Sequence, residues 1–351
     1  MTQDLTDGLP GLGVKDVGGL GGIEGVRGSG GVGTVDAPAA ERRSAGERPS
    51  ASVVVCCYTE ARWDDLRGAV DSARAQLAAG DELVLVVDNN DTLLRRASAA
   101  MPEVTVVAST GPRGLSGARN TGVAVTTGEV VVFLDDDARA EPGWLDRMLA
   151  PYADPQVMGV GGAALAAWPT DRPGWFPPEF DWVVGCSYTG LPTSRAPVRN
   201  PIGASMSFRR SAFEAVGDFT EGIGRTGTDP MGCEETEFGI RLRQSNPDAV
   251  VLYEPGSVVA HRVTSDRATF TYFRRRCYAE GLSKARVAGL VGQESALEAE
   301  RTYVSRTLPR AVWRDLTGGG HRARAAAVVF GVAATSFGYV RGRVGQRRVA
   351  S

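Results

Sequence analysis

The stretch Val130-Val131-Val132-Phe133-Leu134-Asp135-Asp136-Asp137 joins five apolar residues to three consecutive acids. A short apolar run after Gly128-Glu129 suits a strand buried on both faces, the condition of strands in a sheet covered by helices on each side. Ligands of open α/β sheets gather beyond the carboxyl ends of the strands, where adjacent carboxylates can hold a hard dication that grips phosphate oxygens. Taken alone, the acids read equally well as solvated groups in a turn or short helix between Asp137 and Pro142.

Outward from this stretch the chain repeats its plan. Ser52-Val53-Val54-Val55-Cys56-Cys57 is a second short buried run, and it leads into the polar turn Tyr58-Thr59-Glu60-Ala61. Leu66, Val70, Ala73 and Leu77 follow at helical spacing, with Gly80 as the expected stop. Leu83 to Val87 is another strand, ending on Asp88-Asn89-Asn90-Asp91; Thr92 to Ala100 reads as helix and Val104 to Val107 as strand. Gly114 to Gly122 opens the helix that returns the chain to the first-quoted run. Right-handed crossovers then give a doubly wound sheet with Tyr58, Asp88 and Asp135 along one edge. The glycine-containing loop at 114–122 has neither the dinucleotide fingerprint nor the Gly-Lys-Ser/Thr of a phosphate loop, which disfavours a dehydrogenase or P-loop enzyme.

Beyond Pro151 the pattern loosens. A strand is expected at Val157 to Leu165, and Trp168 to Pro201 is rich in aromatics and prolines. Such a segment either covers a site or forms a satellite core under a long loop. Gly203 to Phe208 reads as strand and Arg210 to Ala215 as helix. Gly222 to Gly232 has the composition of a mobile active-site loop. The helix that follows carries Glu234, Glu235 and Glu237 in its first turn, where the helix dipole favours acids in any protein. Val250 to Tyr253 and Val258 to His261 read as two short strands, and the chain beyond about 266 as helical.

Composition narrows the class. With 351 residues, net charge −2 and pI near 5.9, the chain does not look like a nucleic-acid binder. Five cysteines without metal-ligand spacing suit a reduced, cytoplasmic setting. No basic segment followed by an apolar core marks a cleaved secretory signal. Residues 1–48 are crowded with glycine and are expected to be a disordered extension. Ala325 to Val340, flanked by arginines, is the segment nearest to a membrane span; it reads as a buried helix or as one lying on the inner face of the cell membrane.

In this order the motifs resemble a family 2 glycosyltransferase. They are a first strand ending Cys56-Cys57-Tyr58-Thr59-Glu60, a second ending in Asp88, Ala118-Arg119-Asn120-Thr121-Gly122, Phe133 to Asp137, Phe208-Arg209-Arg210, Val216-Gly217-Asp218-Phe219, Glu234-Glu235 and His261. Val184 to Tyr188 and Arg276 to Lys284 resemble more narrowly the members that extend dolichyl- or polyprenyl-linked glycans, glucuronosyltransferases among them. The resemblance implies a GT-A fold, a Rossmann-like, mostly parallel sheet flanked by helices, over residues 49–265, with a helical region at 266–351. It also implies an inverting, metal-dependent transfer from a nucleotide sugar, with a UDP-sugar expected, to a glycan or polyprenyl-linked acceptor.

Carried onto this sequence, the resemblance makes Tyr58 pack on the base near Cys56 and Glu60, with Asp88 reading the base edge. Asp136 would approach the ribose, Asp137 would bind Mg2+ or Mn2+, Asp135 would support them, and His261 would contact the metal or diphosphate. Arg119 would flank the donor. The base would be Glu235, or else Glu234, because this chain has Glu-Glu where the family more often has Glu-Asp. A Gln-x-x-Arg-Trp motif is missing, which favours single addition over processive synthesis. The competing readings are a sugar nucleotidyltransferase, which would need a basic glycine-rich loop after the first strand, and a non-catalytic glycan- or nucleotide-binding module.

Overall fold

The computed structural model describes residues 48–225, 232–318 and 321–349. The glycine-crowded segment 1–47, and the centre of the expected mobile loop at 226–231, lie outside the described residues. Runs of valine make the first strands, because branched side chains pack well on a pleated surface covered on both faces. Four of them, β1 (Ala51–Cys57), β2 (Glu82–Val87), β3 (Thr105–Ala108) and β4 (Val130–Asp135), pair in parallel in the order β3-β2-β1-β4. They are joined by α1 (Trp63–Arg74), α2 (Asp91–Ala100) and α3 (Leu115–Val125). The five apolar residues of β4 are all buried. Helix α1 ends at Arg74, short of Gly80, and in the turn that follows the Asp81 carboxylate accepts from the amides of Ala78 and Ala51.

The rest of the sheet is mixed. After β5 (Ala138–Ala140), β6 (Val157–Ala167), β7 (Ala196–Pro197), β8 (Ser205–Arg209) and β9 (Val250–Arg262), the full order is β3-β2-β1-β4-β8-β6-β9-β5, with β7 beside β9. Strand β8 runs antiparallel to β4 and β6, and β9 runs parallel to β6. Two local readings are corrected. Asp137 to Pro142 is not a helical opening: Ala138–Ala140 pairs with Val259–His261. The two short strands expected at 250–261 are one strand, carried past Pro255-Gly256 by a register shift opposite Gly162/Ala163.

Helices cover both faces. Helices α1, α2 and α4 (Trp144–Leu149) pack on one side of the sheet, around Leu66, Leu93 and Trp144. On the other side α3, α5 (Arg210–Val216) and α6 (Glu234–Ser245) enclose Phe133, Phe208, Phe213, Phe219 and Phe238. Gly122 lets α3 approach β1 closely, since a Cβ there would overlap Val54. The C-terminal region is helical, with α7 (Phe270–Val291), α8 (Gln293–Thr302), α9 (Leu308–Thr317) and α10 (Arg322–Val349). Phe176 and Phe180 of the aromatic segment join Phe273 of α7 and Val328 of α10 in a third buried cluster, so that segment does form a satellite core.

Candidate active site

Because β1, β2 and β4 are parallel, their carboxyl ends share an edge, with Cys56 in register with Asp135 and Cys57 with Val87. Strand β9 climbs to the same edge, where His261 pairs with Ala138 and the amide of Arg262 donates to the Asp137 carbonyl at 2.8 Å. The short strand β5 thus holds Asp137 beside His261. Tyr58, Asp88, Asp135 to Asp137 and His261 all arrive at this edge.

The tightest group is Asp135, Asp137 and His261, each offering one ligand atom within 4.8 Å of the others. His261 Nε2 lies 3.1 Å from Asp137 Oδ1 and 4.0 Å from Asp135 Oδ2. Its Nδ1 faces Cys186 Sγ at 3.6 Å. Gly185, at φ +86°, lies under the ring, and a Cβ there would sit 3.2 Å from His261 Cε1. Two arginines close the other side. Arg62 Nη1 is 2.7 Å from Asp136 Oδ1 and 3.2 Å from Asp137 Oδ2, and Arg267 Nη1 is 3.6 Å from Asp137.

These neighbours split the acids electrostatically. Burial raises Asp136 to about 7, and repulsion from Asp137 adds to it against the pull of Arg62. Burial would raise Asp137 as well, but His261, Arg62 and Arg267 together take it well below the carboxylate range. Burial disfavours the His261 imidazolium, yet Asp137 outweighs this and lifts it well above the usual histidine value. Asp136 Oδ2 is buried without a hydrogen-bond partner. Two carboxylates and an imidazole, with Asp135 still 30% exposed, are a donor set that would suit a hard dication.

Arg119 connects this edge to the start of α6. Only 2% exposed, it donates from Nη1 to Glu234 Oε1 at 2.7 Å and from Nη2 to the Gly203 carbonyl at 3.0 Å, and Nη2 lies 3.4 Å from Asp135 Oδ1. Glu234 is therefore buried and ion-paired. Glu235, the next residue, is only half-buried and has no ion-pair partner among the described residues. Burial first, then the Glu234 charge, pushes it up to about 8.

Residues 52–217 match the profile of glycosyl transferase family 2. Over 237 residues the chain is 33% identical to a glucosyl-dolichyl phosphate glucuronosyltransferase of Haloferax volcanii, spanning 66% of this chain and 75% of that protein. This chain belongs to glycosyltransferase family 2. Similarity to a polypeptide N-acetylgalactosaminyltransferase 11 of Xenopus tropicalis is 26% over 257 residues, covering 65% of this chain but 40% of the longer relative. A solved mannosyltransferase from Pyrobaculum calidifontis, in complex with GDP-Man and Mn2+, superposes with TM-score 0.54 over 84% of this chain and 88% of its own, at 18% identity. The fold is GT-A, and the protein is a glycosyltransferase.

Within this glycosyltransferase the other expected site residues are placed less evenly. Asp88 is buried, accepting from the Gly114 amide at 3.0 Å and from Asn89 at 2.7 Å. Tyr58 is half-buried, with the Arg62 guanidinium 5.6 Å from its ring centre. Burial drives the Cys56 thiol up to about 12, so it is a neutral wall beside Asp135. Glu60 is exposed. Sequence reading missed Arg62, Arg267 and Cys186. Arg62 sits just past the polar turn after β1, which is its only sequence signal; Arg267 and Cys186 reach the edge from distant segments.

Proposed function

We propose that this enzyme transfers a sugar, with inversion, from a nucleotide-sugar donor, a UDP-sugar being the expected one, to a lipid-linked glycan of the polyprenyl type. The relative from Haloferax volcanii, named for action on a glucosyl-dolichyl phosphate, supports the acceptor class. Residues 49–265 carry the reaction and 266–351 form a supporting helical region. Tyr58 packs on the base, between Cys56 and the rim residue Glu60, and Asp88 reads the base edge. Asp136 reaches the ribose. Asp135, Asp137 and His261 hold Mg2+ or Mn2+, which when bound neutralises the leaving diphosphate.

The observation that carries the reading is the pairing of Arg119 with both Asp135 and Glu234. That one side chain sets the start of α6 against the acid edge and consumes Glu234, leaving Glu235 with no ion-pair partner among the described residues. Glu235 takes the proton from the acceptor hydroxyl as it attacks the face opposite the diphosphate. A base with a pKa near neutrality is well matched to that task. The test is a panel of UDP-, GDP- and dTDP-sugars with Mn2+ or Mg2+ and a polyprenyl-phosphate-linked glucose acceptor. Metal-dependent nucleotide release that needs the acceptor, with an inverted product anomer by NMR, is expected; a retained anomer overturns the mechanism.

A further inference from the structure

Among the described residues twelve large apolar side chains stand exposed, and seven of them lie between Trp313 and Val344. Five of the seven are on α10, a helix that contains six arginines and no acidic residue. Val329, Phe330, Ala333, Phe337, Val340 and Val344 recur at steps of three and four, so they lie in one stripe along the helix. All six are exposed, Phe337 by 65% and Val329 and Val340 by 58% each. Arg322 and Arg341 extend the same exposed side towards the ends of the stripe.

The opposite side of α10 is committed. Ala327 and Val328 are buried in the aromatic satellite core, and Gly331 packs on the Phe180 ring. Gly338 and Gly281 bring α10 and α7 backbone to backbone: a Cβ on Gly338 would overlap the Tyr278 carbonyl, and one on Gly281 the Thr335 carbonyl. Arg324 Nε ties the first turn to the Gly174 carbonyl at 3.0 Å. By length and composition Arg322–Gln346 could cross a bilayer, with 28% of its apolar window buried. Crossing would strip α7 and the satellite core of this glycine-mediated packing. A helix held along one side and apolar along the other is suited to lie in the plane of an interface.

We propose that the outward stripe of α10 docks on an anionic membrane surface, the apolar side chains entering the headgroup region and the flanking arginines pairing with lipid phosphates. Charge selects this occupant, because a stripe bordered by cations and free of acids complements an anionic surface. A second copy of the chain would set arginine against arginine in a parallel pairing. The proposal is independent of donor and acceptor.

Flotation of the full chain with vesicles of phosphatidylcholine and phosphatidylglycerol in equal parts, without donor or acceptor, tests it. Binding at least tenfold tighter than to pure phosphatidylcholine, weakened by salt, is expected. Val329→Asp/Val340→Asp should abolish flotation while keeping the wild-type melting midpoint and far-ultraviolet circular dichroism. Failure of the wild type to float, or undiminished flotation of the folded variant, overturns the proposal. A dimer in sedimentation velocity that this variant dissociates, without vesicle binding, assigns the stripe to a second copy and also overturns it.

Discussion

Two buried ionic clusters lie on either side of the start of α6, and they are built to opposite specifications. In the one on α7 and α8, Glu280 meets Arg276 at 2.8 Å, Lys284 at 3.1 Å and the Cys233 thiol at 3.4 Å. Glu300 meets Lys284 at 2.5 Å and Arg199 at 2.6 Å. Every carboxylate oxygen there has a partner. Both acids sit at about 2, because the nearby cations outweigh burial. At the sheet edge, by contrast, Asp136 keeps a buried oxygen without a partner, and Asp136 and Glu235 are raised to about 7 and about 8. The acids of the first cluster are fully paired, although Arg276 Nε is buried without a hydrogen-bond partner. The second holds more acids than cations, with Asp136 and Glu235 raised in consequence, as a cation site and a general base would require under the proposed function.

The strongest way to break this contrast is Glu235→Gln. Loss of a positioned base is expected to lower kcat by about 10²- to 10⁴-fold, with nucleotide binding by calorimetry unchanged. Near-normal turnover would move the base elsewhere, and Glu234, held by Arg119, would be the next residue to test. The complementary substitution is Glu280→Ala, which strands Arg276 and leaves Lys284 with Glu300 alone, and it should cost about 3–5 kcal/mol in denaturant unfolding. Asp136→Asn, removing a carboxylate that is already held up, should cost far less. A reversal of these two costs would mean that the edge, not the α7 cluster, is the structural one.

The pH dependence sharpens the same division. Glu235 is raised on folding, so the folded state keeps a proton that the unfolded chain has lost above about 4.5, and stability falls as pH rises from there to about 8. Glu235→Gln should therefore gain in melting temperature relative to wild type between pH 5 and 8, while wild-type kcat/KM rises with pH and levels above about 8. Glu280 and Glu300 are lowered, so their contribution is present above about 4.5 and is lost as pH falls towards 2. The smallest effect is expected at Arg62. Arg62→Gln removes a cation that competes for Asp136 and Asp137, and a few-fold tighter Mn2+ affinity by titration should result.

Much of this is legible in the chain itself. Uninterrupted valine runs have no solvent face, so β1, β2 and β4 had to be interior strands. Parallel crossovers then had to bring Tyr58, Asp88 and Asp135 to one edge. Less was legible where a feature depends on a distant partner. The three-residue β5 exists only because β9 passes beside it. Glu60 fits a sequence pattern near the base, yet it lies exposed at the rim.

Sequence by itself determined the fold class and set three acids at the end of a buried strand, because apolar periodicity and the order of motifs are local properties of the chain. It could not separate the two glutamates: they are identical residues one position apart, and among the described residues Arg119, folded in from residue 119, pairs with Glu234 and not with Glu235. Likewise α10 reads as an apolar segment between arginines from sequence alone. Which side faces α7 and which stays open was decided by the close approach at Gly281 and Gly338. Charge pairing and helix orientation act between residues far apart in the chain, so they are properties of the tertiary structure.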